Sequence, residues 1–338
     1  MNAQAMLKGS RDEESFVGRV ERRIARVLEA GRPAQRDSSK VADDAAGYLT
    51  KASSAKRARP RLLSHFGEAV GVSEETLVEL AAAAELIHTA SLMHDDVVDE
   101  ATTRRNLEAV HLRWSNQVAI LGGDLLLCHG LKLLEPYPAP VYHSAVDVVS
   151  EMTRGIVREV EARYSVETTL SDWRMIATGK TAALLGWCGR APGLVAGSAE
   201  ISDRLDRCGR HLGVAFQLAD DLKDLLARDA GKDRFADIKN GNPSYPLISA
   251  TDAQPVRERL ERAWEAKRPV DDGAEVKRLG GIVLEAGVIE PAVAAIREEI
   301  ERAVDALGAF ASKPGGREVR QFAQLLVESV DEMTDAAK

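Results

Sequence analysis

Aromatic side chains make up only 4% of this 338-residue chain, while Ala, Leu and Val dominate, a balance that favours helices over sheets. Cysteine is equally scarce. Cys128, Cys188 and Cys208 are odd in number and widely spaced, which argues against a disulfide framework or a zinc site and fits reduced thiols. An excess of positive charge is missing too: the net charge is −8, so no general affinity for nucleic acid or anionic membrane is expected, and any anion site must be local. No long apolar run occurs either. Even residues 118–137 are interrupted by Asp124, His129 and Lys132, and the opening MNAQAMLKGSRDEESF lacks the apolar core of a signal peptide. A soluble, cytoplasmic protein, not integral to a membrane, is expected. Neither a period-2 strand of useful length nor a repeat of about 20 to 50 residues is evident, which disfavours a solenoid.

What is present is helical periodicity. Phe16, Val20, Ile24, Val27 and Leu28 recur every three or four residues, predicting a first amphipathic helix that stops near Gly31 and Pro33. Pro60 suits the first turn of a helix ending around Gly71. Ser73, followed by Glu74 and Glu75, reads as the N-cap of the next, long helix. Further helices are predicted over 116–134, 140–164, 170–187 and 199–227. Four more, with charged outer faces, fill the C-terminal 253–338. The expected fold is all-α: a single-domain bundle spanning residues 1–338 around a central apolar cavity, with no domain linker.

Two acid clusters carry the chemistry. The helix after Ser73 ends in Asp95, Asp96 and Asp99, a DDxxD pattern in which positions i and i+4 fall on one helix face. Alone, such a pattern is more often an exposed acidic helix end. A second DDxxD, formed by Asp220, Asp221 and Asp224, recurs on another apolar helix. If both helices lie in one bundle with their acids facing, the clusters can hold Mg²⁺ ions on opposite sides of a diphosphate, since oxygen-only donors suit this hard ion and it is readily shared with phosphate.

The motifs IHTASLMHDDVVDEATTRR, GGDLLL, GKTAAL and GVAFQLADDLKDL, spread in order over residues 50–250, resemble those of the trans-isoprenyl diphosphate synthases, or polyprenyl synthetases. The resemblance implies an all-α prenyltransferase of isoprenoid biosynthesis, usually a homodimer, that joins isopentenyl diphosphate head to tail to an allylic diphosphate. It implies about three Mg²⁺ per active site. Asp95, Asp99 and Asp220 are then the principal metal ligands, with Asp96, Asp221 and Asp224 in support. Arg104, Lys180, Thr181, Gln217 and Lys232 match positions that hold the allylic diphosphate. Lys56, Arg59, His88 and Arg105 match the isopentenyl diphosphate positions. Ala90 and Ser91 fall where bulky aromatics stop chain growth early in the family, and Ala81 to Ala84 are also small. Helix rise gives about three residues per added five-carbon unit, so the expected product has about twenty carbons or more.

Four departures stand against the family pattern. Ser54-Ala55 replaces a Gly-Gly pair, Asn106 and Phe235 each replace a glycine, and Asn242 replaces a lysine. Two alternatives remain at this point. A terpene cyclase also ionises an allylic diphosphate, although its second metal motif normally differs from DDLKD. A non-catalytic subunit of a heteromeric synthase would not need both acid clusters.

Overall fold

The computed structural model describes residues 15–31, 40–50, 52, 57–226 and 234–337. Lys56, Lys232 and the Ser54-Ala55 departure lie outside the described residues. The described chain is almost wholly helical, as the composition predicts. It falls into two compact units, Met1–Val149 with Trp187–Asp206 and Ala309–Val319, and Ser150–Gly186 with Arg207–Gly308 and Arg320–Lys338.

In the first unit, helices α1 (Phe16–Ala30), α2 (Lys40–Thr50) and α3 (Ala58–Ala69) pack against α4 (Glu74–Val98). A two-residue β1 (Thr103–Arg104) and β2 (Leu107–Glu108), a short α5 (Val110–Arg113) and α6 (Asn116–Lys132) follow. α4 starts where Ser73 Oγ accepts the Thr76 N–H, with Glu74 and Glu75 in the first turn complementing the helix dipole. It is apolar on every side, and Leu80, Ala81, Ala82, Ala83, Ala84 and Leu86 are all fully buried. Its length and composition would allow it to cross a membrane, but 67% of its most apolar window is buried within the protein, as in a core helix. α6 packs closely along it. A Cβ on Gly122 would sit 2.9 Å from the Met93 methyl, so a larger residue there would require that flexible side chain to shift.

Helix α7 (Ala139–Ala162) precedes α8 (Leu170–Ala177), a π-helical turn (Thr178–Ala182), α9 (Ala183–Val195) and α10 (Ala199–Leu226). In the second unit, α11 (Ala236–Asn240), α12 (Tyr245–Ala250), α13 (Gln254–Trp264) and α14 (Gly273–Glu285) enclose a core that includes Leu225, Phe235, Ile238, Leu260, Trp264 and Val283. α15 (Ile289–Leu307) and α16 (Pro314–Ala337) complete the chain. Most long helices begin and end close to where periodicity places them, but the one expected over 170–187 is interrupted by the π turn and continues to Val195. Three short helices and the two-residue ladder escape periodicity, because elements of two to six residues are too short to show a period.

Candidate active site

In the first unit, the acids close α4. Asp95 and Asp99 are half-buried one turn apart, Asp96 is buried, and the last turn contains no basic residue. Three carboxylates at the negative end of a helix dipole repel one another and the dipole, a tension that a cation relieves. The Asp96 carboxyl is pushed up by burial, which outweighs the nearby Arg104 guanidinium, and its Oδ2 accepts no hydrogen bond from a described residue.

Beyond α4 the chain reverses tightly. Thr103 pairs with Glu108 and Arg104 with Leu107, leaving Arg105 (φ 55°) and Asn106 (φ 62°) as the two turn residues. A two-residue hairpin of this type needs positive φ at both centres, and asparagine tolerates it well. Asn106 therefore keeps the backbone that a glycine would supply. The reversal also separates two consecutive arginines. Arg104 Nε donates to Asp96 Oδ1 at 2.6 Å, whereas Arg105 Nη2 donates to Glu85 Oε1 at 2.9 Å, about three turns back along α4.

Glu85 is buried and anchors a cationic cluster. Arg57 Nη1 also donates to its Oε1, and burial, which would raise the Glu85 pKa, is outweighed by Arg57, Arg105 and Arg59, so its carboxylate stays ionised. His88, one turn further along α4, is held neutral first by burial and then by Arg59, Arg105, Arg104 and Arg57. The cluster thus brings three of the predicted isopentenyl diphosphate residues, Arg59, His88 and Arg105, to one place. The sequence reading missed Glu85 and Arg57. An acid within the apolar run 80–87 was the available signal, because a glutamate is almost never fully buried unless paired.

In the second unit, the three acids of α10 have different surroundings. Asp220 is exposed. Asp221 is buried and accepts from Trp173 Nε1 at 2.8 Å, Gln217 Nε2 at 2.8 Å and the Tyr245 N–H at 2.9 Å; burial nevertheless pushes its pKa up to about 7. Asp224 accepts the Ala236 and Asp237 N–H groups at 3.0 and 3.1 Å, tying the start of α11 to α10. Phe235, the residue before them, adopts φ 67°, so here too the backbone is that of the missing glycine. Asn242, in place of a lysine, donates to Asp237 Oδ1 at 3.2 Å. Lys180 lies in the π turn with Nζ 2.5 Å from Glu159 Oε2, and Thr181 Oγ1 donates to Gln217 Oε1 at 2.6 Å, extending the Asp221 network. A π turn of this kind is frequently found at functional sites.

Among the described residues, no three Asp, Glu, His or Cys side chains converge to cage a metal by themselves.

A family model described as polyprenyl synthetase matches residues 39–280, well over half of the chain. The chain belongs to the polyprenyl synthetase family. Its reaction class is therefore prenyl transfer. It is 31% identical over 268 residues to a nonaprenyl diphosphate synthase of Mycobacterium tuberculosis, covering 78% of this chain and 79% of that protein. Component 2 of a heptaprenyl diphosphate synthase from Geobacillus stearothermophilus is 30% identical over 271 residues, covering 78% and 82%. A decaprenyl diphosphate synthase from Rhodobacter capsulatus superposes with a TM-score of 0.85 at 25% identity, over 97% of this chain and 99% of that one. Within this polyprenyl synthetase, Ala90 is buried, and Ser91 is half-buried with its hydroxyl donating to the His88 carbonyl at 2.9 Å.

Proposed function

We propose that this chain condenses isopentenyl diphosphate with an allylic diphosphate in a Mg²⁺-dependent reaction. One observation supports this reading: groups of opposite charge gather at two levels along α4. Asp95 and Asp99 at its end suit a metal-bound diphosphate, whereas Arg59, Arg105 and His88 gather about two turns back, where a bare diphosphate would be held by cations alone. A cyclase, which consumes a single diphosphate, has no need of the second subsite.

Asp95, Asp99 and Asp220 are proposed as the principal ligands of about three Mg²⁺ ions, with Asp96, Asp221 and Asp224 orienting and supporting them. Magnesium held by these carboxylates would neutralise the charge that builds on the departing diphosphate. Arg104, Lys180, Thr181, Gln217 and Lys232 bind the allylic diphosphate, and Lys56, Arg59, His88 and Arg105 bind isopentenyl diphosphate. The allylic C–O bond breaks, the isopentenyl double bond attacks the resulting carbocation, and the departing diphosphate takes the proton that is lost. Neutral His88 serves as a hydrogen-bond partner, not as a strong base.

The small side chains of Ala90 and Ser91 support a product of about twenty carbons or more, at roughly three helix residues per added unit. The long-chain names of the two relatives described above point the same way. A second copy of the chain is proposed to cover the exposed Ile120 and Leu121 on α6, and the enzyme is assigned to the cytoplasm. The two compact units are proposed to act as one catalytic domain. Incubation with the allylic diphosphate alone separates this reading from its rivals. Elongation only when isopentenyl diphosphate is added supports it; hydrocarbon released without isopentenyl diphosphate means a cyclase, and activity only with an added partner chain means a subunit.

A further inference from the structure

Two charged residues on the cationic side of α4 have no assigned role in substrate binding, yet they are among the most buried in the protein: Glu85 at 2% and Arg57 at 4% exposure. Arg57 directs all its donor groups inward. Its Nε donates to Glu21 at 3.0 Å, its Nη1 to Glu85, and its Nη2 to the Thr50 carbonyl at 2.6 Å. Such a side chain acts as a strut and not as a ligand. It is also held at φ 51°, an unfavourable backbone for arginine that persists only when its surroundings fix it.

Glu85 Oε1 accepts from both Arg57 and Arg105, and Arg105 Nη1 donates to the Leu49 carbonyl at 3.1 Å. Arg105 is itself a strained turn residue at φ 55°. Its guanidinium is therefore fixed at one end by the hairpin and at the other by Glu85. Charge balance requires the same carboxylate. Arg57, Arg59 and Arg105 all act electrostatically on Glu85; without it, three guanidiniums would face one another in a buried volume. With Glu85, and with Glu21 pairing Arg57 at 3.0 Å, the cluster keeps a net positive charge to meet a diphosphate.

We propose that Glu85 and Arg57 are positioning residues for isopentenyl diphosphate. Glu85 holds the Arg105 guanidinium beside His88 and allows the arginines to cluster before substrate arrives, and Arg57 fixes Glu85 in turn. The ordering is thus complete in the empty site, and binding need not supply it.

This inference rests on the two-subsite reading, and the experiment separates the two. Glu85→Gln keeps the volume and removes the charge. In steady-state assays its KM for isopentenyl diphosphate should rise about tenfold or more, with kcat within about threefold and the allylic KM unchanged. Calorimetric titration of the metal-free protein with isopentenyl diphosphate should show the same loss. Glu85→Asp, which keeps the charge at shorter reach, should recover part of the affinity. If Glu85→Gln does not fold, Arg57→Met carries the test through the same KM, since it leaves Glu85 paired with Arg105. An active wild type with an isopentenyl diphosphate KM unmoved by these variants overturns the positioning role alone. A wild type that elongates nothing overturns the two-subsite reading, and this inference with it.

Discussion

The ring of Phe235 occupies the space that Gly280 leaves: a Cβ on Gly280 would lie 2.5 Å from two of its ring carbons and 2.6 Å from a third. A left-handed phenylalanine costs roughly 1–2 kcal/mol in backbone strain, and burying its ring offsets that cost by a comparable or larger amount. The partnership spans more than forty residues, from the entry of α11 to the middle of α14. Gly280→Ala should therefore lower stability by about 1–3 kcal/mol through overpacking. Phe235→Ala should cost about 3–5 kcal/mol. Urea unfolding of both variants measures this, and a neutral Gly280→Ala would show that the ring is not confined there.

The unequal surroundings of the second acid cluster predict unequal variants. Asp220→Ala should reduce turnover by several orders of magnitude while leaving thermal stability within about 0.5 kcal/mol of wild type, as expected of an exposed side chain. Asp221→Asn places an amide against the donors Trp173, Gln217 and Tyr245, and should lose about 1–3 kcal/mol of stability as well as activity. Calorimetry alongside kinetics separates these effects.

Much of this was legible in the sequence. The long helices show a clear period, and the DDxxD motifs mark themselves by repetition, so the all-α fold and the family followed. The differing environments of Asp220, Asp221 and Asp224 did not follow, because they are set by Trp173, Tyr245 and the start of α11, residues distant in the chain. The family resemblance already assigned Arg104 and Arg105 to different diphosphates. What the sequence did not show is the means, a turn with positive φ at Arg105 and Asn106 that sends the two arginines to Asp96 and Glu85. Asn106 and Phe235 each replace a glycine of the family pattern, yet both keep a left-handed backbone. Composition does not reveal which non-glycine residues accept that strain.

Acid sensitivity should trace in part to Glu299. Burial would raise the pKa of this carboxyl, but His211 at 2.8 Å and Arg174 at 2.7 Å outweigh burial and hold it below its ordinary value. A carboxylate depressed in the folded state contributes stability that is present above its unfolded pKa of about 4.5 and is lost as pH falls through the folded value. Wild type should therefore lose urea resistance steadily below about pH 4.5. Glu299→Gln should be weaker at neutral pH and show a flatter acid limb. Parallel curves for the two proteins would exclude this contribution.

Product length should respond to the helix face beneath the acids. Ser91→Phe or Ala90→Phe places a ring one turn or so before Asp95, on the order of 6 Å along the helix, and should shift the product distribution towards shorter chains. Chromatography of dephosphorylated products reads this directly. An unchanged distribution would place the limit to growth on other helices.

The central claim is that one chain joins two diphosphate substrates with the help of magnesium. Its most direct test is mass spectrometry of products formed by the purified chain from isotopically labelled isopentenyl diphosphate and geranyl, farnesyl or geranylgeranyl diphosphate, with Mg²⁺ or with a chelator. The account predicts a ladder of labelled five-carbon additions ending in a polyprenyl diphosphate of about twenty carbons or more, abolished by the chelator. Isopentenyl diphosphate left unconsumed with every primer in the presence of Mg²⁺ would contradict it.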